Sequence, residues 1–113
     1  GVPHPHEVAG PIVGEQVEAY RARRDLMVSG LSGLPGFRCA VPGGAFYAFP
    51  NIRGTGRSSA WLADYFLETA GVAVLPGTAF GPGGEGYLRL CFATSAGRIE
   101  EGIGRMRGAL AAL

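Results

Sequence analysis

The chain has 113 residues, a net charge of +1 and 47% hydrophobic residues. That is one domain's length with enough apolar material for a core, and so balanced a charge excludes a general nucleic-acid binder, which carries a basic face or stripe. No apolar run approaches the roughly 20 residues of a membrane-spanning helix, and residues 1–14 hold no continuous apolar stretch of the secretory kind; the expectation is a soluble, cytoplasmic protein without nucleic-acid or membrane partners.

All ten basic residues are arginine, so lysine is absent from any chemistry these residues support. Cys39 and Cys91 suggest no disulfide framework and read as free thiols in a reducing compartment.

Residues 1–14, "GVPHPHEVAGPIVG", contain three prolines and no usable period. They read as a linker, a truncation edge or a tag remnant. His4 and His6 have no further ligand nearby and read as a solvated terminus, not a metal site. From Glu15 a helix is predicted, with Val17, Tyr20, Met27 and Leu31 at helical spacing and "GLPG" at 33–36 ending it. Two strands follow, "FRCAV" (37–41) and "AFYAF" (45–49), joined by Pro42, Gly43 and Gly44, which are turn formers.

Ser58 or Ser59 caps a second helix. Its predicted inner face is Leu62, Tyr65, Phe66 and Thr69, and Gly71 suits the C′ position. "VAVLPG" (72–77) is a third strand. "GYLRLCFATS" (86–95) is a fourth, with Leu88, Leu90 and Phe92 on one face and Tyr87, Arg89 and Cys91 on the other. Thr94 or Ser95 opens a last helix whose period is Ile99, Ile103, Met106, Leu110 and Leu113. The predicted order is α-β-β-α-β-β-α: a two-layer α+β domain, its small mixed sheet covered on one face by three helices.

Gly81, Gly83 and Gly86 spell a dinucleotide fingerprint, but in a loop that opens a strand. A pyrophosphate site needs that pattern to open a helix, so these glycines read as a tight connection. Histidine is confined to the first six residues, and no nucleophilic triad stands out. Arg89 remains. A guanidinium in mid-sheet costs free energy unless something pairs with it. It forms an internal salt bridge, or its stem lies along the sheet with the head in water, or it is a planar donor fork held for a ligand carboxylate. Periodicity leaves these open.

"YRARRDLMVSGLSGLPGF" (20–37), "VPGGAFYAFPNI" (41–52), "GVAVLPGTAFGPGGEGYLRLCFATS" (71–95) and "IEEGIGRMRGAL" (99–110), in that order, resemble the C-terminal part of class I aminotransferases. These are the fold-type-I, pyridoxal-phosphate-dependent enzymes of the aspartate aminotransferase family. The resemblance implies that residues 15–113 are the small domain of such an enzyme, either excised or a natural fragment. It implies that Arg89, in the "G-x-x-R-L" strand, binds the substrate α-carboxylate. Phe46, in "G-A-F-Y", is nominated as an apolar wall beside the substrate, with ordinary core as its other reading; Phe80, in "P-G-x-x-F-G", is nominated likewise.

No catalytic, cofactor-binding or metal-binding residue is nominated here. The family's Schiff-base lysine and pyridoxal phosphate belong to a larger preceding domain, so the chain alone is expected to hold no cofactor and to be inactive. The implied partners are that large domain, an amino acid, a 2-oxo acid and a second subunit. The alternatives are a stand-alone amino-acid-binding module, or the small domain of a related pyridoxal-phosphate-dependent lyase or synthase. The amino-donor specificity is not legible.

Overall fold

Helix α1 (Gly14–Ser32) buries Met27 and Leu31 and half-buries Tyr20, as their spacing predicts. The computed structural model describes residues 14–42 and 46–113, with side chains from Val17 onward. The linker reading at residues 1–13, the reading of His4 and His6, and the Gly43-Gly44 turn lie outside the described residues; Gly14, assigned to that linker, opens α1 instead. After α1 the chain turns at Gly33, whose N–H donates to the Ser29 and Gly30 carbonyls at 3.2 Å each. Leu34 and Phe37 then enter the core.

The predicted strand at 37–41 is reduced to one bridge, Arg38 with Asn51. Pro42 has no N–H to donate to a ladder, and the Cys39 carbonyl accepts from the Ser32 hydroxyl at 3.3 Å instead. Strand β1 (Tyr47–Ala48) follows, then a short 3₁₀ turn (Arg53–Thr55). Helix α2 (Ser59–Tyr65) is capped by Ser58, whose hydroxyl accepts from the Trp61 N–H at 3.2 Å.

α2 widens into a π turn (Phe66–Ala70) before Gly71 ends it in the left-handed region, φ +67°. The wider turn rotates the face. Thr69, expected inside, is exposed, and Ala70 packs on the core in its place. Strands β2 (Leu75–Pro76) and β3 (Leu88–Cys91) are joined through 3₁₀ turns at Gly77–Phe80 and Pro82–Gly84. Helix α3 (Ala96–Ala111) starts at Ser95, whose hydroxyl accepts from the Arg98 N–H at 3.2 Å. It buries Ile99, Ile103, Met106 and Leu110, but it ends before Leu113, which is 50% exposed.

Among the described residues the sheet order is β1-β3-β2, and both pairings are antiparallel. A mixed sheet was the expectation. β1 and β2 do run the same way, linked by the α2 crossover, but β3 lies between them, so no parallel pair forms. The α+β class holds. The observed order is α-β-α-β-β-α, because 37–41 contributes only its bridge. Ala48, Leu88, Leu90 and Phe92 face the helices and join Leu31, Leu62, Phe66, Ile103 and Met106 in one buried cluster. The opposite sheet face carries Tyr47, Tyr87 and Arg89, all half-buried, and the exposed Cys91.

Candidate functional site

β3 is the central strand, and alternation along it sends Arg89 to the face opposite the core, where it is half-buried. The β1–β3 register pairs Tyr47 with Cys91, and the same antiparallel register pairs Asn51 with Tyr87. Tyr47 is therefore a diagonal neighbour of Arg89, within reach of a long side chain. On the other side β2 sets Leu75 directly opposite Arg89, and the turn after β2 delivers Phe80.

The Arg89 guanidinium carbon lies 4.2 Å from the Tyr47 ring centroid and 4.3 Å from that of Phe80. Among the described residues no carboxylate pairs with it; the side-chain ion pairs are Arg24 with Asp25 and Arg105 with Glu101. The salt-bridge reading of Arg89 thus finds no partner among these residues. Its guanidinium carbon thus lies over two rings, and its N–H groups donate to no acceptor among the described residues.

The sequence-nominated residues divide. Arg89 and Phe80 come together. Phe46 does not join them: its ring packs against Tyr20 and Phe92, with centroids at 5.2 Å and 5.8 Å. Phe92 faces the helices, so Phe46 sits at the helix-covered side, yet it is 38% exposed and lies outside the buried core. Tyr47, next in sequence, takes the Arg89 face instead. Sequence reasoning missed Tyr47 because its facing depends on where β1 pairs, and a one-residue slip of register inverts every side chain. A groove of about 150 Å³ lined by Met27, Leu90, Ile99 and Met106 includes none of the nominated residues.

The loop that carries Phe80 is held by contacts unseen in the sequence. Gly77 N–H donates to the Tyr87 carbonyl at 2.7 Å. A Cβ on Gly77 would overlap the Gly84 carbonyl, and one on Gly84 would overlap Gly77, so the loop crosses itself where only glycine fits. Glu85 then latches the loop to α2. Its carboxylate accepts from the Ser59 N–H at 2.9 Å, the Ser59 hydroxyl at 3.1 Å and the Gly86 N–H at 2.9 Å. The Ser59 backbone bond, with smaller help from the Ser59 hydroxyl, the Gly86 N–H and the Arg53 charge, holds the Glu85 carboxyl below its ordinary value against the opposing effect of desolvation. Nothing local marks Glu85 for this role; its partner Ser59 lies 26 residues away.

Cys39 and Cys91 are free thiols, and burial pushes the Cys39 thiol up. With no lysine in the sequence, these residues do not fit a Schiff-base site for pyridoxal phosphate. Among the described residues no helix is long and apolar enough to cross a membrane.

A family model described as aminotransferase class I and II matches residues 5–106. The aspartate aminotransferase of Pyrococcus horikoshii is 47% identical over 98 residues, covering 87% of this chain and 25% of that protein. Among solved structures, the aromatic aminotransferase from Pyrococcus horikoshii OT3 superposes with a TM-score of 0.81 at 42% identity, covering 87% of this chain and 26% of that one. The aspartate aminotransferase from Thermus thermophilus with maleate gives 0.73 at 37% identity, covering 84% of this chain and 24% of that one. The chain spans about a quarter of the length of the relatives it matches.

Proposed function

This chain belongs to the class I and II aminotransferase family, and from that premise we propose that Arg89 binds the α-carboxylate of an amino acid or 2-oxo acid in a longer aminotransferase. The observation that carries the reading is a guanidinium on the sheet face opposite the core, set over two aromatic rings and paired with no described carboxylate. A carboxylate meeting its N–H edge makes two parallel charge-assisted hydrogen bonds. Those bonds fix orientation as well as charge, so the Cα substituents present in one direction to whatever stands opposite. Lysine would keep the charge and lose the fork.

On this reading residues 15–113 are the small domain, and the remaining polypeptide holds pyridoxal phosphate on a lysine of its own. No step of the cofactor's chemistry is derived from the residues of this chain. The apolar face around Arg89, with Phe49 49% exposed, Leu75 43% and Phe80 53%, supports a role as a cover that excludes water when the small domain closes. The whole protein is proposed to be a homodimer. The two free thiols support a reducing, cytoplasmic setting.

Steady-state kinetics of the full-length protein test the Arg89 role. Loss of one charge-assisted bond, about 1.5–3 kcal/mol, predicts that Arg89→Lys raises KM for the amino acid roughly 10- to 160-fold. An unchanged KM refutes the assignment.

A further inference from the structure

We infer that Tyr47 and Phe80 are positioning residues for Arg89, two aromatic rings that hold the guanidinium and leave its N–H donors to a carboxylate. This rests on the reading of Arg89 as the carboxylate site and deepens it.

A cation in mid-sheet needs an electrostatic partner. An aspartate or glutamate would supply one, but it would occupy the same in-plane donors that a substrate carboxylate uses. A ring face attracts the cation through its quadrupole and leaves those donors alone. The topology delivers the rings from two sides: β1 and β2 flank β3, so Tyr47 arrives across one edge of the central strand and Phe80 across the other. Their centroids lie at nearly equal distances from the guanidinium carbon, 4.2 Å and 4.3 Å. Arginine, planar and delocalised, suits stacking of this kind better than an ammonium does. Tyr87, also on this face, is taken by Arg53 at 5.0 Å, which leaves Tyr47 and Phe80 to orient Arg89. Phe80 is thereby reassigned from a wall against substrate to a support beneath the residue that grips it.

The supports are themselves anchored. Tyr47 is fixed by the β1 register with Cys91. Phe80 stands on the turn held by the Gly77–Tyr87 hydrogen bond and the Glu85 latch.

The test uses Tyr47→Phe, Tyr47→Leu and Phe80→Leu in the full-length protein, beside Arg89→Lys. The readouts are kcat, KM for the amino acid and the inhibition constant of propionate, an unreactive carboxylate. Tyr47→Phe keeps the ring and is expected to match the parent. Tyr47→Leu and Phe80→Leu keep apolar bulk but remove a π face, and each is expected to raise KM and the propionate constant by about 2- to 30-fold while kcat holds. Phe80 is an exposed turn residue, so Phe80→Leu removes no core packing. If the leucine variants bind propionate as the parent does while Arg89→Lys binds it weakly, the positioning role falls and the carboxylate site stands. If Tyr47→Phe loses as much as Tyr47→Leu, the hydroxyl and not the ring is at work, which also overturns the inference. If Arg89→Lys binds propionate normally, the site itself is wrong and both readings fall.

Discussion

Replacing Gly77 by alanine tests whether the loop behind Phe80 is as tightly crossed as its geometry implies. Gly77 does not occupy the left-handed region, so alanine meets no backbone strain of its own. The cost is steric. A Cβ there would overlap the Gly84 and Tyr87 carbonyl oxygens, which are backbone atoms and not the tip of a side chain that could swing aside. Overpacking of this kind costs about 1–3 kcal/mol. Relieving it by moving residues 82–84 away loosens the Gly77–Tyr87 hydrogen bond, worth about 0.5–1.5 kcal/mol net. Against this, alanine restricts the unfolded chain and returns about 0.4–1 kcal/mol.

The balance is a destabilisation of roughly 2 kcal/mol, which lowers Tm by about 10 °C for a domain of this size. Urea titration followed by far-ultraviolet circular dichroism reads it as a lower midpoint with the slope unchanged. Gly83 is the internal control. It lies in the same loop, has nothing within 4 Å of a built Cβ and no positive φ, so Gly83→Ala is expected to be neutral or slightly stabilising. Equal behaviour of the two variants would refute the crossing.

Two further outcomes are expected. The Glu85 carboxyl is held below its ordinary 4.5, so the stability it contributes is complete above that value and is lost as pH falls through the lower folded-state value. The urea midpoint of the parent should then drop more steeply than that of Glu85→Gln as pH falls below about 4.5; parallel profiles would remove the latch from the account. Tyr65→Phe deletes the hydroxyl that donates to the Ala109 carbonyl at 2.5 Å and ties α2 to the end of α3. A loss of about 0.5–1.5 kcal/mol is expected by the same titration, and an unshifted midpoint would show the bond contributes nothing.

Local chemistry was legible wherever one element decides its own fate. The Met27–Leu31 stripe, the left-handed Gly71 and the in–out alternation from Tyr87 to Phe92 follow from spacing and from which residues satisfy a helix end. The same reasoning narrows the caps to Ser58 or Ser59 and to Thr94 or Ser95, of which the structure takes Ser58 and Ser95. The errors occur where a partner decides. Residues 37–41 have strand composition, yet they find one bridge because Pro42 and the Ser32 hydroxyl interrupt the ladder. Thr69 has helical spacing for the inner face, yet the π turn rotates it out. Leu113 continues the last helix's period, yet that helix ends at Ala111.

The order of residues along β3 alone determined that Arg89 leaves the core, because a strand's side chains alternate and Leu88, Leu90 and Phe92 claim the helix side. What stands beside Arg89 was decided only by tertiary structure. Tyr47 and Phe80 lie 42 and 9 residues away in the chain, and they reach the guanidinium only once β1 and β2 pair on either side of β3 in a given register. Register and strand order are properties of the assembled sheet, set by the joint fit of its core face. A single strand's sequence does not encode them.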